Sequence, residues 1–162
     1  MTQFRDDILN YLEIYDWLGT AGQPNKEQYP LIKALGYQVV INLAMPDSPG
    51  AFSDEAQVAK EMGLFYYHIP VVWENPKRED LEEFFRLMRK FCGKKIFLHC
   101  ALNMRVSVFV FLYRVLVLGE QAENAREMIY EIWEPNEIWR QFIDTNLPAD
   151  QADSMNKKGP HN

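Results

Sequence analysis

Ile96-Phe97-Leu98 runs without a polar interruption into His99-Cys100-Ala101-Leu102-Asn103-Met104-Arg105, and the chain then stays apolar from Val106 to Leu118. A strand apolar at consecutive positions is covered on both faces, and a helix apolar on every side lies inside the molecule. The stretch therefore reads as strand, short polar loop and buried helix meeting at one point. The apolar part falls well short of the roughly 20 residues needed to cross a bilayer, and it contains Arg114. Val39, Val40, Ile41 and Leu43 repeat the two-faced pattern, Leu64 to Val72 forms an aromatic-rich run closed near Pro70, and a weaker strand is expected around Leu12 to Trp17. Such strands belong to a mostly parallel sheet with helices above and below, the α/β class.

Between the strands the period changes. Leu81, Phe84, Phe85, Met88 and Phe91 recur at steps of three and four, with acidic residues early and Arg86, Arg89 and Lys90 late, as an amphipathic helix aligned with its own dipole requires. Asn25 can cap a helix running toward Gly36, whose first turn Pro30 should bend or delay. Ser53 to Met62, ending at Gly63, predicts another. Ala122, Ala125, Ile129, Ile132 and Trp133 fit one helical face stopped by Pro135, and Ile138, Trp139, Phe142 and Ile143 fit a last short helix.

The 162 residues carry a net charge of -6, with 17 basic and 23 acidic side chains and no basic run. That balance argues against nucleic acid and anionic membranes as partners. Met1 to Asn10 lacks the order of a secretory signal, so a cytoplasmic protein is expected. From about Pro148 polar and small residues replace the hydrophobic ones, which predicts one domain over 1–147 and a disordered tail over 148–162. Two cysteines are too few for a disulfide framework or a four-thiolate zinc site. Cys92, before Gly93, reads as a small residue at a helix end. His68 reads as a strand residue with a local hydrogen bond, and Trp73, Trp133 and Trp139 read as core before they read as a pocket rim. No metal triad is seen, and no metal or other cofactor is expected.

Cys100 opens a loop that leads from a strand into a helix. Such a loop turns successive backbone N–H groups and a helix N-terminus into one small concavity, which favours an anion and stabilises a thiolate. A free thiol ionises near pH 8.5, and such surroundings bring it to about 3.5–7.5. Arg105 at the far rim offers a planar fork for two oxygens of a phosphoryl-like group.

His99-Cys100, Arg105 and the Ser107 hydroxyl resemble the signature loop of the cysteine-dependent protein tyrosine and dual-specificity phosphatases. Gly22-Gln23-Pro24, Val40-Ile41-Asn42-Leu43 and Tyr67-His68-Ile69-Pro70-Val71 resemble the bacterial phosphatase-like domain of beta-lactamase-hydrolase-like proteins. The resemblance implies a three-layer α/β/α phosphatase-like fold and a two-step reaction through a cysteinyl phosphate, with no metal. Cys100 would be the nucleophile and Arg105 the phosphate clamp. His99 would hold the loop and the thiolate, Ala101, Leu102, Asn103 and Met104 would form the rest of the phosphate cradle, and Ser107 would hydrogen-bond the sulfur as it leaves. The implied partners are phosphate or another oxyanion in the loop, and a phosphorylated protein or small phosphoester as substrate.

The loop departs from the family pattern in several ways. Cys100 and Arg105 enclose four residues, one fewer than usual. The bacterial subgroup shares the short spacing, but with a Gly inside the loop and a Ser directly after the Arg; here Asn103 replaces the Gly and Val106 separates Arg105 from Ser107. Asn is the next residue able to take the positive φ that an inward-turned loop often needs. Leu102 and Met104 offer no polar group, so a phosphate would rely on backbone amides and Arg105. In place of the general acid Asp expected after Pro70 stands Trp73, with Glu74 one step beyond as the candidate acid and Asp47 as a second candidate. Two other classes remain open: a rhodanese-like sulfurtransferase working through a Cys100 persulfide, and a catalytically degenerate pseudophosphatase that only binds an anion.

Overall fold

The computed structural model describes residues 7–151. The tail expected from Pro148 falls for the most part at 152–162, outside the described residues. Among the described residues five strands form one sheet: β1 (Leu12–Tyr15), β2 (Leu18–Ala21), β3 (Val39–Asn42), β4 (Phe65–His68) and β5 (Ile96–His99), in the spatial order β1-β2-β5-β3-β4. Only the β1–β2 pair is antiparallel; the others are parallel. The α/β sandwich expected from the two-faced strands is thus present. β5 is its central strand.

The two faces of the sheet carry separate cores. Ile96 and Leu98 pack with Val39 and Ile41 against the larger cluster, which includes Phe84, Phe109 and Trp139. Phe97 and Val40 point the other way, to Tyr29, Ile32, Tyr37 and Ala59. The first face is covered by α3 (Arg78–Lys90), α4 (Met104–Leu116), α6 (Glu127–Ile132) and α7 (Glu137–Asn146), with the short α5 (Ala122–Ala125) between; the second by α1 (Tyr29–Ala34) and α2 (Glu55–Glu61). Alternation along each strand decides which residue meets which layer.

α4 is the helix on which the loop rests. Val106, Val108, Phe109, Val110, Phe111 and Leu112 are all fully buried. At about 1.5–3 kcal/mol per buried side chain they contribute on the order of 10 kcal/mol before entropy costs. The low helix propensity of valine takes back only about 0.5 kcal/mol each, so burial wins. No helix among the described residues is long and apolar enough to cross a membrane.

Most expected elements are found, with instructive differences. Asn25 does cap, but through a capping box on a 3₁₀ turn over Lys26–Gln28, and the α-helix begins only at Tyr29, with Pro30 in its first turn. The single face expected from Ala122 to Trp133 is broken at Arg126 into α5 and α6. The aromatic run from Leu64 keeps strand geometry only to His68. The sequence reading also missed β2. Leu18-Gly19-Thr20-Ala21 has little β-branched character, yet it pairs directly with the central strand. Gly19 stands there because of a close approach: a Cβ at this position would lie 1.9 Å from the Tyr37 hydroxyl oxygen. Gly19→Ala therefore forces Tyr37 out of its layer, and chemical denaturation should show a loss of about 1–3 kcal/mol.

Candidate active site

β2, β5 and β3 end level with one another: Ala21 and Asn42 lie opposite His99 on either side. The chain leaves this edge at Cys100 and enters α4 at Met104, so the loop spans from the carboxyl end of the central strand to a helix N-terminus. The first N–H groups of a helix have no intrahelical acceptor and face whatever sits before them. Three backbone contacts pin the loop: Cys100 N–H donates to the Ala21 carbonyl at 3.3 Å, Gln23 N–H to the Ala101 carbonyl at 3.0 Å, and Gly22 bridges Leu102. Cys100 is fully buried, and Leu102 is exposed.

Asn103, in the place of the usual glycine, has φ 69° and ψ 4°, the left-handed region. The expectation drawn from its side chain holds, and the side chain adds something glycine lacks. Its Nδ2 donates to the Asn10 carbonyl and to Thr20 Oγ1, each at 3.0 Å. Asn10, also at positive φ, returns a bond from its own Nδ2 to the Leu102 carbonyl at 3.1 Å. The segment before β1 is thereby clasped to the loop. With the amide nitrogen drawn to two acceptors, Oδ1 is left buried without a hydrogen bond.

Arg105 is buried. Its Nε donates to the Val71 carbonyl at 2.9 Å, and its guanidinium carbon lies 5.2 Å from the centre of the Trp73 ring. Trp73 is wedged between Trp133 and Trp139, with ring centres 5.3 and 5.6 Å away, and Trp139 Nε1 donates to the Trp73 carbonyl at 3.0 Å. Trp139 is core, as read, while Trp73 and Trp133 are half-buried and pack against that core, and Trp73 buttresses the arginine.

Behind the loop lies a buried polar cluster. His99 Nε2 is 2.6 Å from Glu55 Oε2, and His99 Nδ1 is 3.2 Å from the Cys100 carbonyl oxygen. Tyr29 donates its hydroxyl to Glu55 Oε2 at 2.5 Å, and Gln23 Nε2 donates to Glu55 Oε1 at 3.1 Å and to the Pro24 carbonyl. Burial alone would push the Glu55 carboxyl up; the hydrogen bond and charge of His99, with the Tyr29 and Gln23 donors, outweigh it and hold the group below the usual carboxylate range. Sequence reasoning missed Glu55. The available signal was an acid at i with Ala59 at i+4 on the inward face of α2, where both are buried.

Two expected roles need correction or relocation. Ser107 is not turned to the sulfur: its hydroxyl donates to the Met104 carbonyl at 2.6 Å and accepts from Trp133 Nε1 at 3.0 Å. One residue further along a helix is a rotation of about 100°, so the inserted Val106 carries the hydroxyl away. Glu74 is exposed and lines an open groove of about 470 Å³ with Arg78, Ile138 and Phe142, which Cys100 and Arg105 do not line. Trp73, which spacing puts at the acid's place, does reach the loop but brings an indole. Asp47 is exposed between β3 and α2. His68, exposed on the edge strand, has Nε2 2.5 Å from the Ala44 carbonyl, the local bond expected of it. Cys92 is exposed at the end of α3. Among the described residues no cluster of His, Cys, Asp and Glu has the makings of a metal site.

No family model matches the chain. In structure it is similar to the DUF442 phosphatase-like protein of Shewanella putrefaciens CN-32, with 31% identity, a TM-score of 0.81, and coverage of 93% of this chain and 99% of that one. The chain belongs to the DUF442 family. Other neighbours of this DUF442 chain share the protein-tyrosine-phosphatase-like α/β fold, among them P. aeruginosa TpbA at 16% identity and a TM-score of 0.70, covering 93% and 92% of the two chains. A beta-lactamase hydrolase-like protein of Xylella fastidiosa (strain 9a5c) is 27% identical over 112 residues, 67% of this chain. The match spans 26% of that relative's length.

Two stability outcomes follow from the site. Asn103→Ala keeps the positive φ without the two side-chain bonds, so urea unfolding should show a loss of about 2 kcal/mol, and Asn103→Gly should lose roughly 1 kcal/mol less. Folding lowers the proton affinity of Glu55, so its contribution is present above the free carboxyl value of about 4.3 and is lost as pH falls through the lower folded value. The thermal midpoints of wild type and Glu55→Gln should therefore differ at pH 6 and converge as the pH is taken below 4.

Proposed function

We propose that the protein hydrolyses phosphate monoesters through a cysteinyl-phosphate intermediate, with Cys100 as nucleophile and Arg105 as clamp. The observation that carries this reading is the pairing of Cys100, at the carboxyl end of the central strand, with a guanidinium held at the far end of the same short loop by Val71 and Trp73. Membership in a phosphatase-like family supports it, as do two relatives of the same fold solved with phosphorylated ligands, TpbA with pTyr and PTPMT1 with PI(5)P.

In this mechanism the Cys100 thiolate attacks phosphorus, the S–P bond forms and the ester O–P bond breaks. Nε of Arg105 is engaged by Val71, so Nη1 and Nη2 are the atoms that grip two equatorial oxygens, and loop amides with the N-terminus of α4 take the third. Water then attacks the phosphocysteine, the S–P bond breaks, and inorganic phosphate leaves with the thiolate restored. His99 and Asn103 shape the cradle from behind.

The leaving oxygen needs a proton, and Glu74 lines the groove beside Trp73 rather than the loop. A general acid is worth about two to four orders of magnitude, and least where the leaving group is already acidic. The reading therefore favours aryl phosphates, of the phosphotyrosine kind, over alkyl ones. 4-Nitrophenyl phosphate should be hydrolysed by wild type, and the activity should be lost in Cys100→Ser and Arg105→Met, while a simple alkyl phosphate should turn over at least a hundredfold more slowly. Equal activity in wild type and both variants removes the proposal. Thiosulfate sulfur transfer in its place would assign the loop to persulfide chemistry, and orthovanadate binding without any turnover would leave an anion-binding protein.

A further inference from the structure

The cluster behind the loop does more than pack. Glu55 is 4% exposed and its two oxygens receive three donors: His99 and Tyr29 on Oε2, Gln23 on Oε1. The other nitrogen of His99 faces the carbonyl of Cys100. A backbone carbonyl has no hydrogen to give, and neither has a carboxylate that already receives a phenol and an amide. Each ring nitrogen therefore faces an acceptor, an arrangement satisfied when both carry hydrogen.

The remaining ionisable groups around the pair point the same way. Tyr29 comes from α1 and Tyr66 from β4, and both phenols are pushed up by burial and by the negative charge of Glu55. Both remain neutral: Tyr29 donates to the carboxylate, and the Tyr66 hydroxyl accepts from Asn42 Nδ2 at 3.0 Å. Gln23, from the segment after β2, is neutral at every pH. Of the groups on the carboxylate, His99 is the one that can balance its charge, and a buried carboxylate without such a partner is strongly disfavoured.

We propose that Glu55 is a positioning residue that holds His99 doubly protonated, placing a positive ring directly behind Cys100. The ring fixes the Cys100 carbonyl through Nδ1–H and adds a buried charge that favours the thiolate over the thiol. The consequence for Cys100 rests on its role as nucleophile; the state of the Glu55–His99 pair does not.

The chain has three histidines, so a histidine-labelled protein can be assigned with His68→Gln and His161→Gln variants. Ring ¹⁵N spectra of wild type at neutral pH should show both His99 nitrogens protonated. In Glu55→Gln one of them should move to the unprotonated range. Alkylation of Cys100 by iodoacetamide near neutral pH should fall about tenfold in that variant, the factor carried by one unit of ionisation, and match wild type at alkaline pH where the thiol ionises unaided. A wild-type His99 with one bare nitrogen overturns the proposal, and this measurement decides even where the variant fails to fold. An unchanged spectrum in a folded Glu55→Gln protein overturns it as well. Doubly protonated His99 in a wild type that hydrolyses no aryl phosphate supports the pair and counts against the phosphatase reading alone.

Discussion

The level ending of three parallel strands is the constraint from which the rest of the structure follows. β5 is hydrogen-bonded on both sides, and its last residue, His99, has Ala21 and Asn42 as lateral neighbours. A central strand cannot bend aside without breaking two ladders, so the chain is delivered to one fixed point at the carboxyl edge, where the open ends of α/β sheets place their ligand sites. The burial of α4 fixes the other end of the loop. Between these anchors only a few residues remain, and their backbone has little freedom.

A loop this short and this constrained needs support from outside itself, and the structure supplies it from three directions. Asn10 and Thr20 hold the left-handed Asn103. Val71 and the stacked tryptophans hold Arg105. Glu55, Tyr29 and Gln23 hold His99. Each support satisfies a buried polar group that would otherwise carry a desolvation penalty of about 1–3 kcal/mol, so the same contacts that stabilise the fold also shape the site. The cost shows in two orphaned oxygens, Gln23 Oε1 and Asn103 Oδ1. In both amides the nitrogen is the atom in demand, which fixes the orientation and strands the oxygen.

The legibility of these parts in the chain is uneven for physical reasons. Ile96-Phe97-Leu98 announces a two-faced strand, and Val106 onward announces a buried helix, because apolar residues at consecutive positions have few other places to go. The Cys100–Arg105 loop follows from their junction. β2 is silent by comparison, since Gly19 and Thr20 answer to the Tyr37 ring and to the Asn103 side chain, partners far away in the chain. Ser107 was misplaced because a count along the chain ignores the turn of the helix. Glu55 was invisible because an acid on a helix is ordinarily a solvated one, and only its burial against His99 says otherwise.

What the sequence by itself determined is therefore the layering, the two-faced strands, the loop and the residue type able to sit at positive φ within it, all of them consequences of local pattern and local backbone energy. Only the tertiary structure decided which groups from distant segments converge on that loop: the carboxylate behind His99, the carbonyl and indole that hold Arg105, and the asparagine that clasps the turn. Such contacts depend on the register of strands and the rotation of helices, quantities that a shift of one residue changes completely, and so no local pattern can encode them.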